Sequence, residues 1–120
     1  MQRKQHPKGK LGEDLATSFL QKLGYIILTR NFNSRLGEID IVALDSNTLV
    51  YVEVKTRWSH SYGSPEEAVT SYKLARFLKT VAYYKLLNPA KPQPERVDVI
   101  AVSFDQNNTP LIHHLKNVTG

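Results

Sequence analysis

Three acidic residues and one lysine recur at every second position of two neighbouring apolar segments. Glu38 and Asp40 lie in the first segment, and Glu53 and Lys55 lie in the second. Alternate residues of a β-strand share a face, so we expect the charged side chains of each segment to point to one face of a sheet. The apolar residues that alternate with them, expected on the opposite face, are Ile39, Ile41, Val52 and Val54.

The residues that connect the two segments, Asp45–Thr48, have the composition of a hairpin turn. If the hairpin closes there, Asp40 lies opposite Glu53, and like charges in that position destabilise an antiparallel pair. A divalent cation between the two carboxylates would remove that cost. The same register places Glu38 opposite Lys55, with which it could pair, unless it serves as a further metal ligand.

Phosphodiester cleavage is a chemistry that explains acids in otherwise buried strands, where unpaired charge costs stability. Asp40 and Glu53, with the carbonyl oxygen of Val54, would offer hard oxygen ligands suited to Mg²⁺ or Mn²⁺. The metal would polarise the scissile phosphate and lower the pKa of a bound water. Lys55 would orient the attacking water or neutralise the charge that develops on the phosphate.

The 120 residues are predicted to form one domain over 11–120, preceded by a flexible basic tail over 1–10. That tail carries four cations of a chain whose net charge is +5, and it could contact phosphates or simply be solvated. We expect no membrane span, because no apolar run is long enough, and no secretory signal, because no apolar segment follows the basic start. The absence of cysteine excludes disulfides, and a cytoplasmic location fits.

The first predicted helix, Leu11–Leu23, has an apolar stripe with period four and ends at Gly24. Glu13 lies at the margin of that stripe on a helical wheel, so its side chain could reach inward. The alternative is a solvated acid in the first turn, where the helix dipole favours negative charge. Both interpretations stay open on the helical pattern alone.

The element order predicts an α/β sandwich in which a mixed sheet is flanked by helices, α-β-β-β-α-β-β. A capping serine, Ser64, marks the start of the second helix, which should end before Asn88. A crossover through this helix makes the strands on either side of it parallel, while the hairpin is antiparallel. The predicted strands cover 25–32, 36–44, 49–57, 96–104 and 111–118.

Four residues outside the acidic set are candidate contacts to nucleic acid. Arg57 and Trp58 open an aromatic loop that could stack on bases, although a lone Trp beside a strand end often packs against the core. Lys73 and Arg76 share a polar stripe of the second helix that could contact phosphates, although a solvated helix face is the commoner explanation of such a stripe. Glu38, next to Asp40, completes the set of candidate contacts.

The acid on one strand and Glu53-Val54-Lys55 on the next resemble the signature of PD-(D/E)xK nucleases, without its proline because Ile39 precedes Asp40. Five blocks of the chain, in order, resemble the YraN family of bacterial proteins, which is described as related to Holliday-junction resolvases. Those blocks are Gly12-Glu13, Gly37-Glu38-Ile39-Asp40, Val52-Glu53-Val54-Lys55-Thr56-Arg57, Gly63-Ser64-Pro65-Glu66-Glu67-Ala68-Val69 and Val97-Asp98-Val99-Ile100-Ala101-Val102.

The resemblance implies a restriction-endonuclease-like fold and a catalytic set of Glu13, Asp40, Glu53 and Lys55, with Glu13 completing the metal site. It implies DNA as the partner, branched or structured DNA among the substrates, and a homodimer, because resolvases usually act as symmetric dimers. No residue pattern marks a dimer surface.

Three functions compete on these grounds. The first is a metal-dependent endonuclease that hydrolyses DNA. The second is a nucleic-acid-binding module on a nuclease fold that does not cut. The third is a structural protein in which the charged residues form an ion-pair network, which gives no reason for the spacing of Lys55.

Overall fold

The computed structural model describes residues 7–57 and 71–120 of the chain. The predicted order of elements, α-β-β-β-α-β-β, is confirmed. The elements are α1 (Pro7–Lys22), β1 (Ile26–Ser34), β2 (Gly37–Asp45), β3 (Thr48–Arg57), α2 (Ser71–Leu87), β4 (Glu95–Phe104) and β5 (Pro110–Leu115). Among these described residues, no helix is long and apolar enough to cross a bilayer.

The five strands form one mixed sheet in the order β1-β2-β3-β4-β5. β3 and β4 are parallel, as the crossover through α2 requires, and the other neighbours are antiparallel. The β2–β3 hairpin closes with Asp45 opposite Thr48 and pairs Ile41 with Val52, so the predicted register is confirmed for residues 41–45 and 48–52. The paired residues stop there, so the predicted positions of Asp40 opposite Glu53 and of Glu38 opposite Lys55 stay predictions. Ser46, in the turn between them, has a φ of +54°.

Two apolar clusters cover the two faces of the sheet, one under each helix. β3 alternates between them, because Val50 and Val52 pack with α1 while Leu49 and Tyr51 pack with α2. The α1-side cluster is formed by Ala16, Leu20, Tyr25, Ile41, Ala43, Val50, Val52, Ile100, Val102 and Phe104. The α2-side cluster is formed by Ile39, Val42, Leu49, Tyr51, Phe77, Val81, Tyr84 and Val97.

Some element ends differ from the prediction. α1 begins at Pro7, since proline is well suited to the first helical position, so the last part of the predicted basic tail is helical. β5 ends at Leu115 instead of residue 118, and Asn117 follows in a left-handed conformation with φ of +54°. The predicted start of the second helix at Ser64 lies outside the described residues.

A buried polar cluster joins β4 to β5 and to the hairpin tip. Asp98 is fully buried and accepts hydrogen bonds from Arg96 Nε at 3.0 Å and from the main-chain N–H of Asn117 at 3.0 Å. His114 Nε2 lies 2.7 Å from its other oxygen. Arg96 also bonds to Asp45 at 2.9 Å. This cluster anchors the last strand to the rest of the fold.

Candidate active site

Glu13 reaches the sheet because α1 approaches β3 at a glycine. A Cβ atom on Gly12 would lie 1.9 Å from Thr56 Oγ1, so only glycine allows this approach. The next residue, Glu13, is 7% exposed. Since α1 begins at Pro7, Glu13 lies beyond the first turn, and the interpretation of Glu13 as a solvated first-turn acid is wrong.

The regular alternation of β2 breaks at Asp40. Ile39 packs with Val42 in the α2-side cluster, whereas Ile41 packs in the α1-side cluster. In a regular strand Ile39 and Ile41 would share a face. The prediction that they do is therefore wrong, and Asp40 lies at the residue where β2 changes face.

β1 changes face at the same level, at Asn31, whose φ is +57°. Arg30, before it, bonds to Asp14 of α1 at 2.8 Å. Phe32, after it, packs edge-on against Tyr84 of α2 with ring centroids 5.1 Å apart. The two neighbouring strands therefore change face at the same level, at Asn31 and at Asp40.

The Asp40 carboxylate lies where the main-chain pairing of β2 with β3 stops. The last main-chain pair of that ladder is Ile41 with Val52. Beyond it, the N–H of Val54 donates a hydrogen bond of 2.7 Å to Asp40 Oδ2. The side chain thus takes the place of a main-chain acceptor, which fixes the carboxylate between the strands with 6% of the residue exposed.

Glu13 is held in an environment that favours its neutral form. Burial raises the pKa of Glu13 to about 7, against the opposing effect of the Arg30 cation, and the negative charges of Glu38 and Asp14 add to the rise. Arg30 is itself bound to Asp14, and this hydrogen bond, followed by one from Lys10, lowers the pKa of Asp14. Glu13 therefore lies beside an ion pair that joins α1 to β1.

Asp40 has a similar shift for related reasons. Burial raises its pKa to about 7, although the hydrogen bond from the Val54 N–H favours the ionised form. The negative charges of Glu13, Glu38 and Glu53 raise it further. The charge of Glu13, from a distant part of the chain, thus acts on the buried Asp40.

Glu53 and Lys55 share a face of β3, as predicted, and form an ion pair. Lys55 Nζ lies 2.8 Å from Glu53 Oε1, and the two side chains are 33% and 22% exposed. The ammonium group therefore lies beside the acids, at the more solvent-exposed side of the site. The predicted pairing of Lys55 with Glu38 across the strands stays a prediction.

α2 brings basic residues to the start of β2. A Cβ atom on Gly37 would lie 2.9 Å from Thr80 Oγ1, so the helix and the strand approach closely there. Lys73 and Arg76 are exposed on the turns of α2 that precede Thr80. These two predicted contacts thus lie on the part of α2 that leads to the end of β2 carrying Glu38.

The two other predicted contacts, Arg57 and Trp58, follow Lys55 in the chain. Arg57 pairs with Ser103 of β4 in the sheet, and its side chain is half-buried. Trp58 lies outside the described residues, so its stacking on bases stays a prediction.

Arg30 and Asp14 belong to this site although sequence reasoning did not select them. Arg30 follows the apolar start of β1, and Asp14 follows Glu13, which is a weak signal in each case. Their contact depends on the face change at Asn31, because a regular strand would direct Arg30 to the same side as Phe32. No local sequence pattern predicts the face change at Asn31.

The carboxylates of this site match part of what a hard cation requires. Within residues 7–57 and 71–120, no three His, Asp or Glu side chains are close enough together to hold a metal ion. Mg²⁺, however, usually binds through one or two carboxylates and completes its shell with water and substrate phosphates. Glu13 and Asp40 fit that requirement, because two like-charged buried carboxylates are the arrangement that a cation relieves.

A family model described as "Uncharacterised protein family UPF0102" matches residues 12–102 of the chain. Relatives with the same designation are similar over nearly all of it. A UPF0102 protein of Persephonella marina is 46% identical over 92% of this chain and 90% of its own length. One of Pseudarthrobacter chlorophenolicus is 47% identical over 92% and 83%, and one of Geobacter sulfurreducens is 43% identical over 91% and 85%.

The matched range contains the catalytic candidates Glu13, Asp40, Glu53 and Lys55, together with the face change in β2. It excludes β5, which the buried Asp98–His114 contact joins to β4. The chain belongs to the UPF0102 family, the YraN family that its sequence blocks resemble.

Proposed function

We propose that this protein is a metal-dependent endonuclease that hydrolyses phosphodiester bonds of DNA, with branched or structured DNA among its substrates. The observation that carries the proposal is the burial of Glu13 beside Asp40, each with a pKa of about 7. Burying two carboxyls costs stability, and perturbed acids of this kind cluster at functional sites. The adjoining Glu53–Lys55 ion pair supplies a cation to the same site.

The cofactor would be Mg²⁺ or Mn²⁺, held by Glu13 and Asp40, with Glu53 and the carbonyl of Val54 as the further ligands that the sequence indicates. When bound, the cation supplies Lewis acidity toward the scissile phosphate and lowers the pKa of a coordinated water. Cation binding requires ionised carboxyls. The raised pKa values of Glu13 and Asp40 therefore make metal affinity increase with pH.

Each residue of the set would have a distinct task. Asp40 is held by the Val54 N–H at 2.7 Å, so its carboxylate is oriented before substrate arrives. Lys55 Nζ would orient the attacking water or stabilise the charge developing on the phosphate, since an ammonium group placed there acts most strongly in the transition state. Glu53, which holds Lys55 at 2.8 Å, would keep that ammonium group in place.

Substrate contact would involve α2 and the end of β3. Lys73 and Arg76 are exposed on α2, and cations at such positions bind phosphates in a salt-dependent way. Arg57 follows Lys55 on β3 and would extend the contact surface toward Trp58. Glu38, whose charge raises the pKa of both buried acids, would lie at the boundary between the metal and the substrate.

The second candidate is a nucleic-acid-binding module on a nuclease fold that does not cut. One observation favours it, because the Glu53 carboxylate is engaged by Lys55 instead of being grouped with Glu13 and Asp40. This module would keep salt-dependent DNA binding and show no cleavage with any metal.

A cleavage panel separates the two candidates. Linear, flapped and four-way-junction DNAs are incubated with the protein and Mg²⁺ or Mn²⁺, and products are resolved on denaturing gels. The endonuclease proposal predicts metal-dependent cleavage by the unmodified protein and none by Lys55→Ala. Equal cleavage by both proteins, or DNA binding without any cleavage, would reject it.

A further inference from the structure

The loop between β1 and β2 consists of two residues with large side chains, Arg35 and Leu36. The last main-chain pair of the two strands is Ser34 with Gly37, so Arg35 and Leu36 form the whole of this β1–β2 loop. Two-residue loops normally carry glycine, asparagine or aspartate, because their central residues adopt positive φ values. Neither Arg35 nor Leu36 has a positive φ. The β1–β2 loop therefore keeps two large side chains at a position where small residues are usual.

The residues on either side of the β1–β2 loop fix its shape. Gly37 takes the unusual conformation instead, with a φ of +145° that residues with a side chain rarely adopt. Ser34 Oγ accepts a hydrogen bond of 3.1 Å from the N–H of Leu36 and donates one of 3.0 Å to the carbonyl oxygen of Gly37. The close approach of Gly37 to Thr80 packs the base of the loop against α2. A fixed turn thus presents the two side chains.

Both side chains of the β1–β2 loop face solvent. Leu36 is 45% exposed, and Arg35 is exposed as well. Within residues 7–57 and 71–120, no hydrogen bond or ion pair engages the Arg35 side chain. An isolated exposed leucine is ordinary on a protein surface. A leucine fixed beside an unpaired cation suits a partner that combines negative charge with apolar surface, and DNA offers both in its phosphates and its base faces.

The β1–β2 loop lies at the end of β2 that carries the candidate active site. Glu38 and Asp40 are the second and fourth residues after Leu36. At about 3.3 Å per residue, Leu36 lies roughly 13 Å along the strand from Asp40. Successive nucleotides of a DNA strand rise by about 3.4 Å, so this distance is about four nucleotides. A strand with one phosphate at Asp40 could therefore reach the loop.

We propose that the β1–β2 loop recognises branched DNA: Arg35 contacts a backbone phosphate, and Leu36 packs against a base that is unstacked at the branch. An apolar side chain that enters a base step must unstack it, and this costs least where the duplex is already open. The loop would therefore favour a junction or flap over a linear duplex. This inference rests on DNA being the substrate in the proposed function, and it names the element that selects the branch.

Binding without cleavage provides the first test. The probes are a fluorescein-labelled four-way junction and a linear duplex of equal length, titrated with the full chain in EDTA and followed by anisotropy. Leu36→Ser should weaken binding to the junction about tenfold and change binding to the duplex less than about twofold. Leu36→Phe keeps a large apolar side chain and should retain the preference for the junction. Circular dichroism checks that each variant is folded.

The role of Arg35 is tested by salt dependence. Arg35→Gln should weaken binding to both DNAs equally and reduce the slope of log affinity against log salt concentration by about one, because one phosphate contact is lost. Lys22→Gln and Leu23→Gln are the matched controls, since both residues are exposed at the far end of α1. They should leave both affinities and the slope unchanged.

Unstacking of the base is measured with 2-aminopurine, whose fluorescence increases when it leaves the stack. The analogue is placed at the branch of the four-way junction, and the protein is added to saturation. The unmodified protein should increase the fluorescence, whereas Leu36→Ser at saturation should not. A structural role of Leu36 in the turn alone would leave the two signals equal.

The outcomes separate this inference from the proposed function. A junction preference or a 2-aminopurine signal that Leu36→Ser retains, or a salt slope that Arg35→Gln leaves unchanged, would overturn the inference and leave the nuclease proposal intact. Junction binding that depends on Leu36, without cleavage in Mg²⁺ or Mn²⁺, would support the inference and reject the nuclease. Absence of DNA binding by the folded, unmodified protein would reject both. Leu36-dependent binding to phosphatidylglycerol vesicles, without DNA binding, would assign the loop to membranes instead.

Discussion

Asp40 accepts a hydrogen bond of 2.7 Å from the main-chain N–H of Val54, one step beyond the last paired residues of β2 and β3. This contact makes a side chain part of the sheet at the residue where β2 changes face. It leaves the carboxylate fixed, buried and close to the charge of Glu13. The same residue therefore has a structural role and the proposed metal-binding role, and substitutions can separate them.

The effect of substituting Asp40 on stability should depend on whether the new side chain still accepts the hydrogen bond from the Val54 N–H. Asp40→Ala leaves a buried N–H unpaired and should lower the free energy of unfolding by about 1–3 kcal/mol. Asp40→Asn keeps an acceptor oxygen and removes a negative charge, so its metal-free stability at pH 8 should equal or exceed that of the unmodified protein. Urea denaturation in EDTA measures both. A larger loss in Asp40→Asn than in Asp40→Ala would contradict this division of roles.

Metal-free stability should fall as pH rises through the range in which Glu13 ionises. Its pKa is about 7 in the folded protein against 4.5 as the ordinary value, so the unfolded chain releases the proton first. The stabilisation is complete below about 4.5 and is lost as pH rises through about 7. Asp40 acts in the same direction, from 3.8 to about 7.

Urea denaturation across this pH range, in EDTA, should therefore show a shallower slope for Glu13→Gln than for the unmodified protein. Glu13→Gln/Asp40→Asn should be the shallowest of the three. Saturating Mn²⁺ should reverse the slope, because the cation binds the ionised carboxyls. Parallel curves for all three proteins would show that these acids are not neutral in the fold.

Any side chain at Gly12 should destabilise the protein, because Gly12 lies very close to Thr56 of β3. Gly12→Ala would place a Cβ atom 1.9 Å from Thr56 Oγ1, so α1 must shift and carry Glu13 away from Asp40. We expect a loss of about 1–3 kcal/mol in the free energy of unfolding and weaker Mn²⁺ binding. Removing the blocking atoms with Thr56→Ala should restore part of both.

Gly9, in the same helix, provides the matched control. No atom lies within 4 Å of a Cβ added there. Gly9→Ala should therefore stabilise α1 by about 0.5–1 kcal/mol, the usual gain from alanine inside a helix. Equal effects of Gly12→Ala and Gly9→Ala on stability would refute the close approach to Thr56.

Neighbouring histidines of β5 should differ in their contribution to stability. His114 lies 2.7 Å from the fully buried Asp98, whereas the side chain of His113 is exposed. Although burial opposes ionisation, the bonds from His114, Arg96 and the Asn117 N–H lower the pKa of Asp98, so a charged acid needs these donors. His114→Ala should cost about 1–3 kcal/mol, and His113→Ala less than about 0.5 kcal/mol. Thermal unfolding compares the two, and similar midpoints would count against the anchoring of β5 by this cluster.

The order of elements and the hairpin register could be predicted because each depends on local signals. Asp45–Thr48 has turn composition, and the alternation of β3 from Leu49 to Val52 is regular. The same alternation fails in β2 at Ile39. The failure accompanies the face change at Asn31 of β1, and the residue pattern of one strand does not predict a face change that two strands share.

The residues of the candidate site could be predicted better than the contacts between them. Helical periodicity alone does not predict which way the Glu13 side chain points. The close approach of Gly12 to Thr56 decides it, and these two residues are far apart in the chain. The register predicts the strand face of Lys55, whereas its ion pair with Glu53 depends on side-chain rotamers that the register does not fix.

The metal-binding claim is tested most directly by calorimetric titration of Mn²⁺ into the protein at about pH 8, where Glu13 and Asp40 are mostly ionised. The account predicts saturable binding to the unmodified protein and its loss in Asp40→Asn. Binding should be retained in Glu95→Gln, which removes an acid of β4 that pairs with Lys85 of α2. Binding that Asp40→Asn leaves unchanged, or no binding to the folded unmodified protein, would contradict it.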